Sequence, residues 1–158
     1  MKVLVALGVR DAWALVERTI RMLQPTALEL LLVYVVDEEH HQNALRLPGG
    51  LGRRHEPHDM RRLALAQAED QSAGRSLERG VEAALACAIS PEHIARRLMR
   101  GRPAQTIVAL AEDEHCDLIV VRARDEVQVR VPAGPASVGH TARFILDHAP
   151  CDVLLVRA

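Results

Sequence analysis

Residues Asp117 to Arg157, DLIVVRARDEVQVRVPAGPASVGHTARFILDHAPCDVLLVR, read as a buried strand, a long turn-rich loop, a helix opening near Gly139 and stopped by Pro150, and a final buried strand. Strand, loop, helix and strand in that order form the unit of an open parallel sheet, and such sheets hold ligands in a crevice outside the carboxyl ends of their strands. The stretch therefore sets both the fold class, α/β, and the place to look for function.

The rest of the chain repeats the same alternation. Lys2 to Leu7, KVLVAL, is a continuous apolar run ending at Gly8, as expected of a parallel strand covered on both faces. From Asp11, a candidate N-cap, Ala12, Leu15, Val16, Ile20 and Leu23 recur at helical spacing until Pro25. Thr26 to Val36 is a second apolar strand, and the handedness of such units makes the first crossover right-handed. Residues Asp37 to about Pro57 form a polar, His-bearing stretch read as a mobile surface loop. His58 to about Ala88 carries helical spacing despite Gly74 and Gly80, each of which costs roughly 1 kcal/mol against Ala and leaves room for a kink or break. Ser90, Pro91 and Gly101 signal a short helix, yet an alternating sheet needs a third strand here. The reading adopted is a strand at about His93 to Met99, with Val81 to Cys87 as the alternative. Pro103 then opens a helix ending near His115, and Cys116 to Val121 is a strand. The helix from Gly139 to His148 turns Ala142, Ile145, Leu146 and Ala149 inward, and Val153 to Val156 closes the sheet.

Composition excludes several function classes. The 158 residues suit one domain, 1–158, and 20 basic against 21 acidic side chains produce no field to steer nucleic acid or a membrane surface. A single Trp, Tyr and Phe offer almost no stacking platform for single strands. Lys2 is the only lysine, so a Schiff-base lysine or a phosphate-loop lysine has no candidate elsewhere. Cys87, Cys116 and Cys151 are odd in number, far apart and without CxxC spacing, which suits small apolar thiols in a cytoplasmic setting. The longest apolar run, around Leu30 to Val36, is about half of a bilayer span, and no membrane span or signal segment is expected.

GRPAQTIVALAEDEHCDLIVV followed by FILDHAPCDVLLVR resembles the C-terminal half of the universal stress protein family, and LVALGVRD with LLLVYVVD resembles its first two strands. The resemblance covers almost the whole chain. It implies a doubly wound five-stranded parallel sheet of order 3-2-1-4-5 with helices on both faces, similar to the adenine-nucleotide alpha-hydrolases, and a homodimer joined through the last strand. Nucleotide-binding members carry an Asp just after the first strand and a Gly-x-x-Gly, nine residues, Gly-Ser/Thr pattern after the fourth, where bare backbone can approach phosphates at a helix N-terminus. Carried onto this chain, that crevice falls on Leu7, Gly8, Val35, Arg122, Arg124, Gly139, His140 and Thr141. The sequence departs from the pattern there. Gly8 stands at the Asp position, Arg122 and Asp125 stand at the first two glycines, 13 residues separate Asp125 from Gly139, and His140 follows Gly139 with Thr141 one place late. The expectation is a homodimeric binding or regulatory module without ATP in the usual mode, no cofactor, and an unidentified protein or small anionic ligand as partner. Two alternatives stay open. One is an ATP-, AMP- or anion-binding stress protein using Arg122, Arg124 and His140. The other is a stress-protein-like regulatory domain of a membrane transporter.

Other candidate motifs fail on chemistry. GPASVGHT at Gly134 to Thr141 has phosphate-loop spacing, but His140 stands where Lys is required. Ser137 lacks the first glycine of a nucleophile elbow, since Pro135 holds that position. His40, His41, His55 and His58 share one stretch, but HEPH matches neither HExxH nor a zinc-finger spacing, so no metal is expected. Arg53/Arg54, Arg61/Arg62 and Arg96/Arg97 read as solvated faces. Val127 to Val131, VQVRV, alternates with period two, and either pairs with a partner subunit as an edge strand or folds onto its own domain. No catalytic set is visible, and no enzymatic role is expected.

Overall fold

The computed structural model describes residues 1–24, 27–38, 56–123 and 138–157, with side chains from residue 63 onward in the long helix. The candidate edge strand at Val127 to Val131, the positions Arg124, Asp125, Gly134, Pro135 and Ser137, and residues His40, His41, Arg53, Arg54 and His55 lie outside the described residues, as do the side chains of His58, Arg61 and Arg62.

Five parallel strands form one sheet: β1 (Lys2–Leu7), β2 (Glu29–Asp37), β3 (Ile94–Gly101), β4 (Leu118–Arg122) and β5 (Asp152–Val156), in spatial order β3-β2-β1-β4-β5. Connecting them are α1 (Ala12–Leu23), α2 (Glu56–Ala86), α3 (Pro103–Asp113) and α4 (His140–His148). The expected order 3-2-1-4-5 is the observed one.

The period of two along each strand builds two separate cores. Val3, Val5, Leu7, Leu30 and Leu32 face Leu15, Val16 and Ile20 of α1 and Ala73 and Leu77 of α2. Leu4, Ala6, Leu31, Val33, Ile119 and Val121 face Ile107 and Ala111 of α3 and Ala142 and Ile145 of α4. β1 and β2 need apolar side chains at successive positions because both of their faces are covered. Each fully buried Leu or Ile of this kind is worth roughly 1.5–3 kcal/mol.

α2 runs unbroken through both glycines. At Gly80 the reason is packing, because a Cβ there would lie 3.0 Å from Leu7 Cδ1 and 3.2 Å from Leu32 Cδ1. The missing side chain lets the helix settle directly onto β1 and β2. α2 ends with Ala88 in the left-handed region (φ 62°). There the amide of Ile89 donates to the carbonyl of Ala84, and that of Ala88 to Leu85. α3 ends in the same manner: His115 has φ 51°, with Cys116 donating to Ala111 and His115 to Glu112. Both are Schellman ends in which glycine would be the unstrained residue.

Two readings are corrected, and the strand expected at about His93 to Met99 is β3. Leu146 was expected inside but is 46% exposed, because the inner face of α4 is satisfied by Ala142 and Ile145. Asp11 occupies the N-cap position of α1 in a left-handed conformation but makes no side-chain cap, its carboxylate being drawn elsewhere. The helix-like signals at Ser90 and Pro91 belong to a single 3-10 turn, Pro91–His93, that leads into β3. β3 itself is an edge strand, exposed along most of its length, and Arg100 reaches Asp70 of α2 at 2.6 Å. No helix of the described residues is long and apolar enough to cross a membrane.

Candidate functional site

β1 lies at the centre of the sheet, and the chain winds from it toward β3 on one side and toward β5 on the other. Its carboxyl end is therefore the topological switch point, where helices diverge and leave a crevice. The crevice measures ≈ 610 Å³, within the range of small-ligand sites. Leu7 and Gly8 from the end of β1, Val35 from β2, Arg122 from β4 and Thr141 from the first turn of α4 all line it, so five of the sequence-derived positions meet there. Gly139 caps α4 with φ 93°. His140 lines a neighbouring hollow with Arg102, Gln105 and Phe144, and Thr141 borders both spaces. Arg122 and His140 thus face different hollows, and Arg124 lies outside the described residues.

Several crevice features were not foreseen. Pro103 and Ile107 of α3 wall it on the second face of the sheet, and Val9 and Arg10 extend the wall beyond β1. Arg122 donates from Nη1 to Asp11 Oδ2 at 2.6 Å, with side-chain exposures of 20% and 54%. The hydroxyl of Ser76, buried on α2, donates to the carbonyl of Gly8 and ties the end of β1 to that helix. Neither link could be found from local spacing, since the partners stand 111 and 68 positions apart.

Gly8 carries no carboxylate, and a Cβ built at that position meets no atom within 4 Å. The space beside Gly8 is therefore open, and crowding does not account for the missing side chain. The guanidinium that could meet a phosphate is already paired with Asp11. At this wall, then, Gly8 offers no carboxylate and Arg122 is held by Asp11. Elsewhere, burial pushes the thiols of Cys116 and Cys151 above their ordinary values, so both stay protonated at neutral pH and are poor nucleophiles.

No curated protein sequence matches the chain. Among solved structures, a universal stress protein UspA from Lactobacillus plantarum is 24% identical, with 99% of this chain and 97% of that one covered and a TM-score of 0.69. A universal stress protein family protein from Arabidopsis thaliana with AMP bound is 18% identical over 99% and 91%, TM-score 0.59. The universal stress protein from Archaeoglobus fulgidus in complex with dAMP is 16% identical over 98% and 96%, TM-score 0.54. These likenesses show the fold. The profile of the universal stress protein family matches residues 1–157, and on that match the chain belongs to the universal stress protein family.

Proposed function

We propose that this chain is a homodimeric universal stress protein that acts by binding and contact, without catalysis, and that does not hold ATP in the manner of its nucleotide-binding relatives. The observation that carries the second part is the crevice wall itself: Gly8 in place of a carboxylate, and Arg122 held by Asp11. A small anion competing for Arg122 has to displace a half-exposed ion pair worth at most about 1 kcal/mol. That cost is small enough to leave a simple anionic ligand feasible.

The dimer rests on the contrast between the two sheet edges. β3 presents exposed Arg96, Arg97 and Arg100, charges that oppose pairing with another strand. β5 presents half-buried Val153, Leu154 and Leu155, and Leu146 of the preceding α4 is exposed. Pairing with a second β5 would cover that apolar surface and satisfy the free strand edge. A cytoplasmic setting accords with the free thiols of Cys87, Cys116 and Cys151.

The crevice volume, and the AMP and dAMP named in the related structures, favour a second reading in which a nucleotide binds here through other contacts. Native mass spectrometry of freshly purified protein, followed by isothermal titration with ATP, AMP and inorganic phosphate, separates the two. A dimer that carries no nucleotide and gives no heat with ATP supports the proposal. Micromolar ATP binding, or phosphate release from ATP above the buffer rate, overturns it. Leu155→Arg should yield a folded monomer, whereas deletion of Val127 to Val131 should leave the dimer intact.

A further inference from the structure

We propose that the cleft between the start of α1 and the middle of α2 is a second ligand site, built for a small molecule that joins an anionic group to a planar apolar body. The cleft measures ≈ 490 Å³, and its lining includes Val9, Asp11, Trp13, Ser72, Arg75 and Arg79. That size suits a small ligand. Among its described lining residues only Val9 is shared with the nucleotide-type crevice.

Trp13 is the one tryptophan of the chain, and it is 37% exposed on this wall. Val9 beside it is 67% exposed. An indole face and a valine left open to water offer a planar ring apolar contact and stacking. Arg75 and Arg79 stand one helical turn apart on α2, both exposed. Like charges at this spacing repel, and neither guanidinium has an ion pair or hydrogen bond among the described residues. Asp11, the carboxylate of the cleft, is engaged by Arg122. An anion placed between the two guanidiniums would remove their repulsion and accept charge-assisted hydrogen bonds, while its ring lay against Trp13. α1 begins without a side-chain cap, so the amides of its first turn add donors at the same wall.

Because Trp13 is the sole indole, its fluorescence reports on this cleft. Titration of the full chain with phenyl phosphate, benzoate, inorganic phosphate and phenol should give a saturable change with at least one ring-bearing anion, a weaker one with phosphate and none with phenol. The ratio of phenyl phosphate to benzoate affinity then identifies the preferred anion. The double variant Arg75→Gln/Arg79→Gln, altered only at exposed positions, should weaken binding about tenfold or more with an unchanged circular dichroism spectrum. Trp13→Ala, followed by calorimetry, should also bind more weakly. The proposal is overturned by the absence of saturation with both ring-bearing anions, by an equal response to phenol, by wild-type affinity in Trp13→Ala, or by wild-type affinity in the double arginine variant.

Discussion

Substituting Gly8→Asp places a carboxylate at the end of β1, where nucleotide-holding universal stress proteins carry one. A Cβ there meets nothing within 4 Å, and Gly8 is not in the left-handed region, so neither crowding nor backbone strain opposes the change. The Ser76 bond to Gly8 is made to the main-chain carbonyl and survives. A hydrogen bond to a charged group contributes about 1.5–3 kcal/mol, which corresponds to roughly ten- to hundredfold in affinity. One opposing effect is local: Arg122, 2.6 Å from Asp11, could be drawn toward the new carboxylate. Rearranging a half-exposed pair costs no more than about 1 kcal/mol, so the balance stays favourable. Isothermal titration of AMP into the wild type, Gly8→Asp and Gly8→Asn should show the largest gain for Asp and a smaller one for Asn. A folded Gly8→Asp protein with the wild-type response to AMP would refute the reasoning, as would a variant that gains equally for inorganic phosphate, because phosphate has no ribose hydroxyls to donate.

Other expectations concern stability. Gly74→Ala adds a Cβ that meets nothing within 4 Å and should stabilise α2 by up to about 1 kcal/mol, whereas Gly80→Ala meets Leu7 and Leu32 and should lose up to about 2 kcal/mol net of the helix gain; urea unfolding compares them. Ala88→Gly and His115→Gly each relieve a left-handed residue at a helix end and should raise the unfolding midpoint, by about 0.5–1 kcal/mol apiece. The hydrogen bond from Lys2, 2.6 Å away, holds the Glu114 carboxyl below the ordinary carboxylate range, and the same bond raises Lys2 above 10.5. Glu114 therefore contributes stability that is present above the ordinary carboxylate range and lost as pH falls through its depressed value. Lys2 contributes stability that is present below 10.5 and lost as pH rises through its elevated value. The gap in denaturation midpoint between wild type and Glu114→Gln should be widest between about pH 5 and pH 10 and narrow at both ends.

The central strands were legible because both of their faces are covered, which forces unbroken apolar runs such as KVLVAL. β3 was nearly hidden for the opposite reason. At the sheet edge IARRLMRG keeps only Ile94, Met99 and Gly101 half-buried, so no period of two survives, and it was the need for a third parallel strand that located it. The position of the crevice was readable from strand order. Its electrostatic state was not, because Asp11 and Arg122 are joined only by folding. The cleft beside Trp13 was missed on similar grounds: Trp13, Arg75 and Arg79 are brought together only where α2 packs against α1.

The unlike edges of the sheet bear on how many copies can associate. Pairing β5 with its own counterpart is a two-fold contact that uses up the same patch on each molecule, so it closes on itself. Continued growth would have to run through β3, and its row of arginines makes that edge a terminus. In the proposed dimer the described strands would make one sheet of ten, bordered at each end by β3 with its exposed Arg96, Arg97 and Arg100, so that strand pairing through β5 would end at two copies.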